Sequence, residues 1–308
     1  MDYAASALAK AEGAKISFPR LGRKLRGPPF QDLAPHRLSR TDDRRANLPV
    51  GAGLYGGPFE CQAKAIEREP MGLDIMTGAI SILAREGDEG IAAFKGLFQS
   101  LNELLVEVGQ SPHDEPQVLD PADTFEAQMW GYRGLHHLRR VAAYLALEGR
   151  LPASDRVDEA SEDPVLMRFY ADHGQYLDRP KSGFLSLLRK SRPKPQFEHL
   201  MLHSDAEGVY LPRELSDVIF DPAEPQREGL GCMVGSSLSL LSECRQISTA
   251  LALPGDIDPE CDEVDENADS LPLEGEPWQR LGITTFVLTR LLRACEISQR
   301  TGAAVVFT

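Results

Sequence analysis

From Gly90 onward the apolar positions Ile91, Phe94, Leu97, Phe98, Leu101, Leu104, Leu105 and Val108 recur at intervals of three and four, the stripe of a helix with one buried face. The same spacing predicts a second helix over 124–148, with Leu138, Val141, Ala142 and Leu145 facing inward and Gly149 placed to stop it. A shorter third helix is predicted around 163–173. Past residue 196 the pattern changes to short apolar runs bounded by turn residues, which predict strands at 197–203, 209–211, 218–220 and 232–234. Two more helical stripes follow. One is Leu240, Leu241, Cys244, Ile247 and Leu251, with Ser236 or Ser237 as N-cap; the other is Leu281, Leu288, Leu291, Leu292 and Cys295, with Pro277 near its first turn. A last strand is predicted over 303–307. A helix-rich N-terminal half and a mixed C-terminal half make an α+β fold, with an α/β arrangement open for the C-terminal lobe.

Residues 1–70 fall outside this pattern. They are rich in Arg, Gly and Pro, lack sustained periodicity, and carry 12 Lys+Arg against 8 Asp+Glu, whereas the remaining residues carry 21 against 39. At Met71 the run Met71-Gly72-Leu73-Asp74-Ile75 reads as the start of a fresh strand, behind Glu67-Arg68-Glu69, whose codons can be purine-rich like a ribosome-binding sequence. The expectation is a leader over 1–70, disordered or mis-assigned to the chain, unless it is a basic arm for an acidic partner. A helical lobe over 71–178 and a mixed α/β lobe over 196–308 then flank a linker at 179–195, whose three prolines and basic residues stiffen and solvate it.

Composition narrows the class. With 42% hydrophobic and 26% charged residues the chain has the makings of a packed core. Without an apolar run of membrane-spanning length or a secretory pattern, a cytoplasmic protein is expected. The five cysteines, Cys61, Cys232, Cys244, Cys261 and Cys295, are scattered and read as reduced thiols. A formal net charge of -14 disfavours nucleic acid and anionic membrane as partners, since both carry the same sign.

Candidate chemistry is sparse. In the stretch from His199 to Gly208 a strand would put His199, His203 and Asp205 on one side, and two imidazoles with a carboxylate suit a divalent metal. The competing account, favoured because no established metal spacing is present, has His203, Ser204 and Asp205 bonding a tight turn. Gly235-Ser236-Ser237 sits at a strand-to-helix junction, yet Leu238 occupies the second glycine position of a nucleophile elbow, and a helix cap explains the serines. Arg133, His137 and Arg140 share a face of the second helix that could hold a phosphate or an acidic partner, or make ordinary ion pairs. No cofactor is expected.

The stretch 256–276 holds ten acidic residues and no basic one. Asp256, Asp258 and Glu260 have the spacing of a calcium loop, but Cys261 replaces its glycine and Asn267 its glutamate, which rules out an EF-hand. What is left is an acidic loop, either solvating or a decoy-like patch in which Asp262, Glu263, Asp265 and Glu266 attract a basic protein partner.

Met71-Gly72-Leu73-Asp74-Ile75, the L-H-H-L-R-R run at 135–140, H-S-D-x-E-G-x-Y-L-P at 203–212 and V-G-S-S at 234–237 together resemble a set of uncharacterised bacterial cytosolic proteins. The resemblance covers most of 71–308 and implies an intracellular bacterial protein without an established activity; Val209 stands beside Tyr210 where a second aromatic is expected, which alters any pocket it lined. The function that follows is a non-enzymatic binding protein, immunity-like or regulatory, engaging a basic protein partner. The alternative is a small hydrolase or metal-dependent enzyme centred on His203, Asp205 and Glu207.

Overall fold

A computed structural model describes residues 73–87, 90–177, 194–204, 207–223, 227, 229–231 and 233–308. The expected leader at 1–70, most of the 179–195 linker, Asp205, Cys61 and Cys232 lie outside the described residues. The elements run β1 (Asp74–Thr77), α1 (Ala79–Glu86), α2 (Ile91–Glu107), β2 (Phe125–Gln128), α3 (Gly131–Glu148), α4 (Pro164–Leu177), α5 (Glu198–Met201), β3 (Gly208–Leu211), β4 (Ile219–Phe220), β5 (Met233–Ser236), α6 (Ser237–Ala250), α7 (Asp262–Ser270), α8 (Pro277–Arg280), α9 (Gly282–Thr301) and β6 (Val305–Phe307). This is an α+β fold.

The sheet has the order β2-β1-β6-β3-β5-β4 and is antiparallel throughout except where β3 runs parallel to β5. Its strands come from both sides of the 179–195 segment, and β1 pairs directly with the closing strand, Ile75 opposite Phe307. Alternation along the strands sorts the core into two layers. Ile75, Tyr210, Val305 and Phe307 face a cluster built on α3, α4, α6 and α9, while Met76, Val209, Leu211, Val234 and Val306 face α1 and α2. The central helix is α9, buried without a break from Gly282 to Leu291 and packed against α3, α6 and α7.

Several expected elements stand where the spacing put them. The α2 stripe buries Phe94, Phe98, Leu101, Leu104 and Leu105. In α6 the Ser236 side chain accepts from the Ser239 N–H at 3.1 Å, the cap that spares one orphan donor. Gly149 ends α3 in the left-handed region, φ 63°. Three expectations need correction. Residues 125–128 form strand β2 rather than the first turns of α3, which begins at Gly131. The predicted strand over 197–203 is the helical turn α5, because the Glu243 carboxylate takes the His199 and Leu200 N–H groups that a strand would offer to a neighbour. The acidic loop contains helix α7, seated on α9 by Val264 and Ala268. No helix among the described residues is long and apolar enough to cross a membrane.

Candidate protein-binding surface

Of the residues singled out for catalysis, Asp205 lies outside the described residues and His203 belongs to a packing unit with Tyr210. His203 stacks on Tyr210 with ring centroids 3.9 Å apart and an interplanar angle of 17°. A Cβ on Gly208, whose φ is 137°, would overlap the imidazole, and one on Gly235 would overlap the Tyr210 ring, so both glycines are required for the stack. Burial pushes the His203 imidazole down to about 4, so the ring is neutral at pH 7. Its nitrogens lie 3.2 Å from the Ser204 and Val209 carbonyl oxygens, and a neutral ring donates to only one of them. Tyr210 donates to the His199 carbonyl at 3.0 Å, and His199 Nδ1 accepts from the Ser236 N–H at 3.0 Å. With 198–201 helical, His199 and His203 do not project as alternate residues of a strand. Among the described residues no three His, Cys, Asp or Glu side chains converge as metal ligands. Glu207 is exposed.

The serines at the strand-to-helix junction are likewise internal. Ser236 Oγ donates to the Arg213 carbonyl at 2.7 Å while capping α6, and Ser237 Oγ lies 2.8 Å from Ser298 Oγ, both residues fully buried. The hydroxyl partners in these contacts are carbonyls and another hydroxyl, and His199, the imidazole beside Ser236, accepts from its backbone N–H.

The basic face of α3 is turned inward. His137 and Arg140 are each 5% exposed. Arg140 Nε donates to Asp163 at 2.7 Å and its Nη1 to the Ser154 carbonyl at 3.0 Å, while His137 Nδ1 sits 3.3 Å from Asp155. Arg133, at the exposed end, lies 3.6 Å from Glu159. Asp155 reaches further: its carboxylate accepts from the Thr284 N–H at 2.8 Å and the Thr284 hydroxyl at 3.1 Å, capping α9 from a distance. The acidic partner this face could bind is thus supplied by residues 155–163.

The opposite holds over 256–276, where all ten carboxylates are exposed. Five of them, Asp262, Glu263, Asp265, Glu266 and Asp269, stand on α7. At a rise of about 1.5 Å per residue they occupy about 10.5 Å of helix axis, one charge per roughly 2 Å. Duplex DNA carries one per roughly 1.7 Å. Asp262, Glu263 and Asp265 lie in the first turn, where the helix dipole favours them. Glu266 and Asp269 lie beyond it and add like-charge neighbours three or four residues from Asp262, Glu263 and Asp265, at about 0.2–0.5 kcal/mol a pair. Burial of Val264, worth about 2 kcal/mol, with Ala268 adding less, outweighs that repulsion. Helix stability therefore tolerates the last two charges without calling for them. Two side chains relieve the crowding in part: Arg290 lies 3.4 Å from Asp265, and Gln279 Nε2 donates to Glu263 at 3.0 Å.

Arg156 fixes the far end of α7, donating from Nε to the Leu271 carbonyl at 2.7 Å, and Arg280 donates to the Ala153 carbonyl at 2.7 Å. These bonds tie Arg156 to the C-terminal end of α7 and Ala153 to α8; Asp158 and Glu162, on the same segment, are exposed. Sequence reasoning passed over this segment, although Asp155, Asp158, Glu159, Glu162 and Asp163 fall within nine residues and the density alone was a signal.

No curated protein and no solved structure matches this chain. Residues 71–307 match the model of a family described as "Putative DNA-mimic protein", and the chain belongs to that family.

Proposed function

We propose that this chain binds a DNA-binding protein, offering carboxylates where that protein otherwise meets phosphates. Phosphate contacts supply most of the sequence-independent affinity of such proteins, so their binding faces are basic and respond to the spacing of negative charge more than to its chemical source. The observation that carries the reading is α7, whose exposed carboxylates follow one another at nearly the axial density of a duplex. The family description supports it. Charge of this kind acts first on encounter: it steers the partner in and is screened by salt.

The enzyme alternative has less behind it, since His203 is a buried, neutral ring under Tyr210. The test begins with host proteins retained on immobilised duplex DNA, challenged with the purified chain. For a protein so released, the association rate with the chain should fall steeply from low to high ionic strength. The combined variant Asp262→Asn, Glu263→Gln, Asp265→Asn, Glu266→Gln should reproduce the effect of salt. An unchanged association rate in that variant would remove the acidic surface from the account.

A further inference from the structure

One side chain joins the acidic helix α7 to the short helix α8. Gln279 accepts from the Glu276 N–H through Oε1 at 2.9 Å and donates from Nε2 to the Glu263 carboxylate on α7 at 3.0 Å. The two partners fix which way the amide points: an N–H needs the oxygen and a carboxylate needs the NH2, so a flipped amide would lose both bonds. The first bond belongs to the capping box that starts α8. Gly275, at φ 111°, leaves the amide its space, since a Cβ there would come within 2.6 Å of Gln279 Oε1.

We propose that Gln279 is a positioning residue of the partner-binding surface, holding the Glu263 carboxylate in one place while leaving its charge whole; this rests on the reading of α7 as that surface. A long carboxylate side chain that is free to turn must be ordered when a partner closes on it, and that ordering weakens the complex. A cation would order it too, but would offset the charge that a basic partner seeks. Asp265, 3.4 Å from Arg290, is held in that way. An uncharged amide orders the carboxylate without cancelling it. Glu266, exposed on the same helix, has no hydrogen-bond donor among the described residues and serves as the unheld comparison.

Gln279→Glu separates the two bonds. A glutamate there can still accept from the Glu276 N–H, since capping boxes use Glu and Gln alike, so α8 keeps its start. Glu263, however, then meets a like charge in place of a donor. The variant is one charge more negative than the native chain, so a surface that worked by charge alone would bind as well or better. With the full chain and a host protein that it releases from immobilised duplex DNA, dissociation of the variant should instead be about threefold to tenfold faster, with the salt dependence of association kept. In a Glu263→Gln background the same exchange should leave dissociation unchanged, because the carboxylate it acts on is gone. Unchanged dissociation in Gln279→Glu, or dissociation equally faster with and without Glu263, would overturn the proposal. An association rate indifferent to salt would overturn the reading of α7 first, and the proposal with it. Side-chain methylene relaxation gives a second readout on the chain alone: Glu263 should be more ordered than Glu266 in the native chain and no more ordered than Glu266 in Gln279→Glu. A Glu263 as mobile as Glu266 in the native chain refutes the positioning whatever the partner.

Discussion

Helices α3 and α7 are both crowded with charge, and the fold treats them in opposite ways. On α3, His137, Arg139 and Arg140 are buried, and the carboxylates and carbonyls they need are brought to them from residues 154–163 and 200–204. On α7 the carboxylates face solvent with little opposing charge. The difference lies in the apolar residues between the charges. α3 interleaves its basic residues with Leu135, Leu138, Val141 and Ala142, so burying the stripe drags the charges in and makes pairing obligatory. α7 has only Val264 and Ala268 to bury, and its charges stay out. A run of charge in a sequence thus announces a surface only when the apolar spacing around it is thin.

The largest effect should come from breaking the buried side of this contrast. Arg140→Met leaves Asp163 and Asp155 without their cation and should lower stability by about 3–5 kcal/mol, read from the denaturant midpoint. A loss below about 1 kcal/mol would mean that the α3 network is dispensable.

Next comes pH, to which the buried groups should respond. His199 and His203 are depressed by burial, so the unfolded chain binds more protons than the native one, and stability is lost as pH falls from about 6.5 toward 4. Glu243, raised by burial, works the other way between about 7 and 4.5 and offsets part of it. The net loss by about pH 4 should be near 3 kcal/mol, growing in Glu243→Gln and shrinking in His203→Phe. Thermal melts across that range check it, and a flat profile in both variants would contradict the assignment.

Gly282→Ala sharpens the comparison from the α7 side. A Cβ there would overlap the Asn267 carbonyl oxygen, so α7 must shift on α9, at about 1–3 kcal/mol. Partner binding should weaken while the pairing of Arg140 with Asp163 is kept. The smallest effect on stability belongs to the α7 surface itself: converting Asp262, Glu263, Asp265 and Glu266 to their amides should change it by less than about 1 kcal/mol, since the like-charge pairs removed are offset by the lost dipole placement of the first-turn carboxylates and the lost Arg290 contact. A large loss on the same melt would make those residues structural.

How much of this was legible in the sequence depended on the residue. The stripes of α2 and α6, the Ser236 cap and the closing strand follow from spacing alone. The period of two from Phe125 to Met129 was present too, but the helical stripe that follows it was extended backward over β2. α5 was misread because His-Leu-Met-Leu-His alternates like a strand, and the carboxylate that makes it a helical turn lies more than forty residues away in the chain. α7 was missed because a helix held by two small apolar contacts leaves almost no stripe to see. The acidic surface was visible as composition, whereas the inward turn of the α3 face was not, since its partners at Asp155 and Asp163 are joined to it only by tertiary packing.

If this chain occupies the DNA-binding face of its partner as proposed, free duplex must compete with it. With a protein released from immobilised duplex DNA by this chain, the affinity for the chain is measured as free duplex is added. Binding should be mutually exclusive, with the apparent affinity falling in proportion to the occupancy of the partner by DNA. A ternary complex that holds duplex and chain together at unchanged affinity would contradict it.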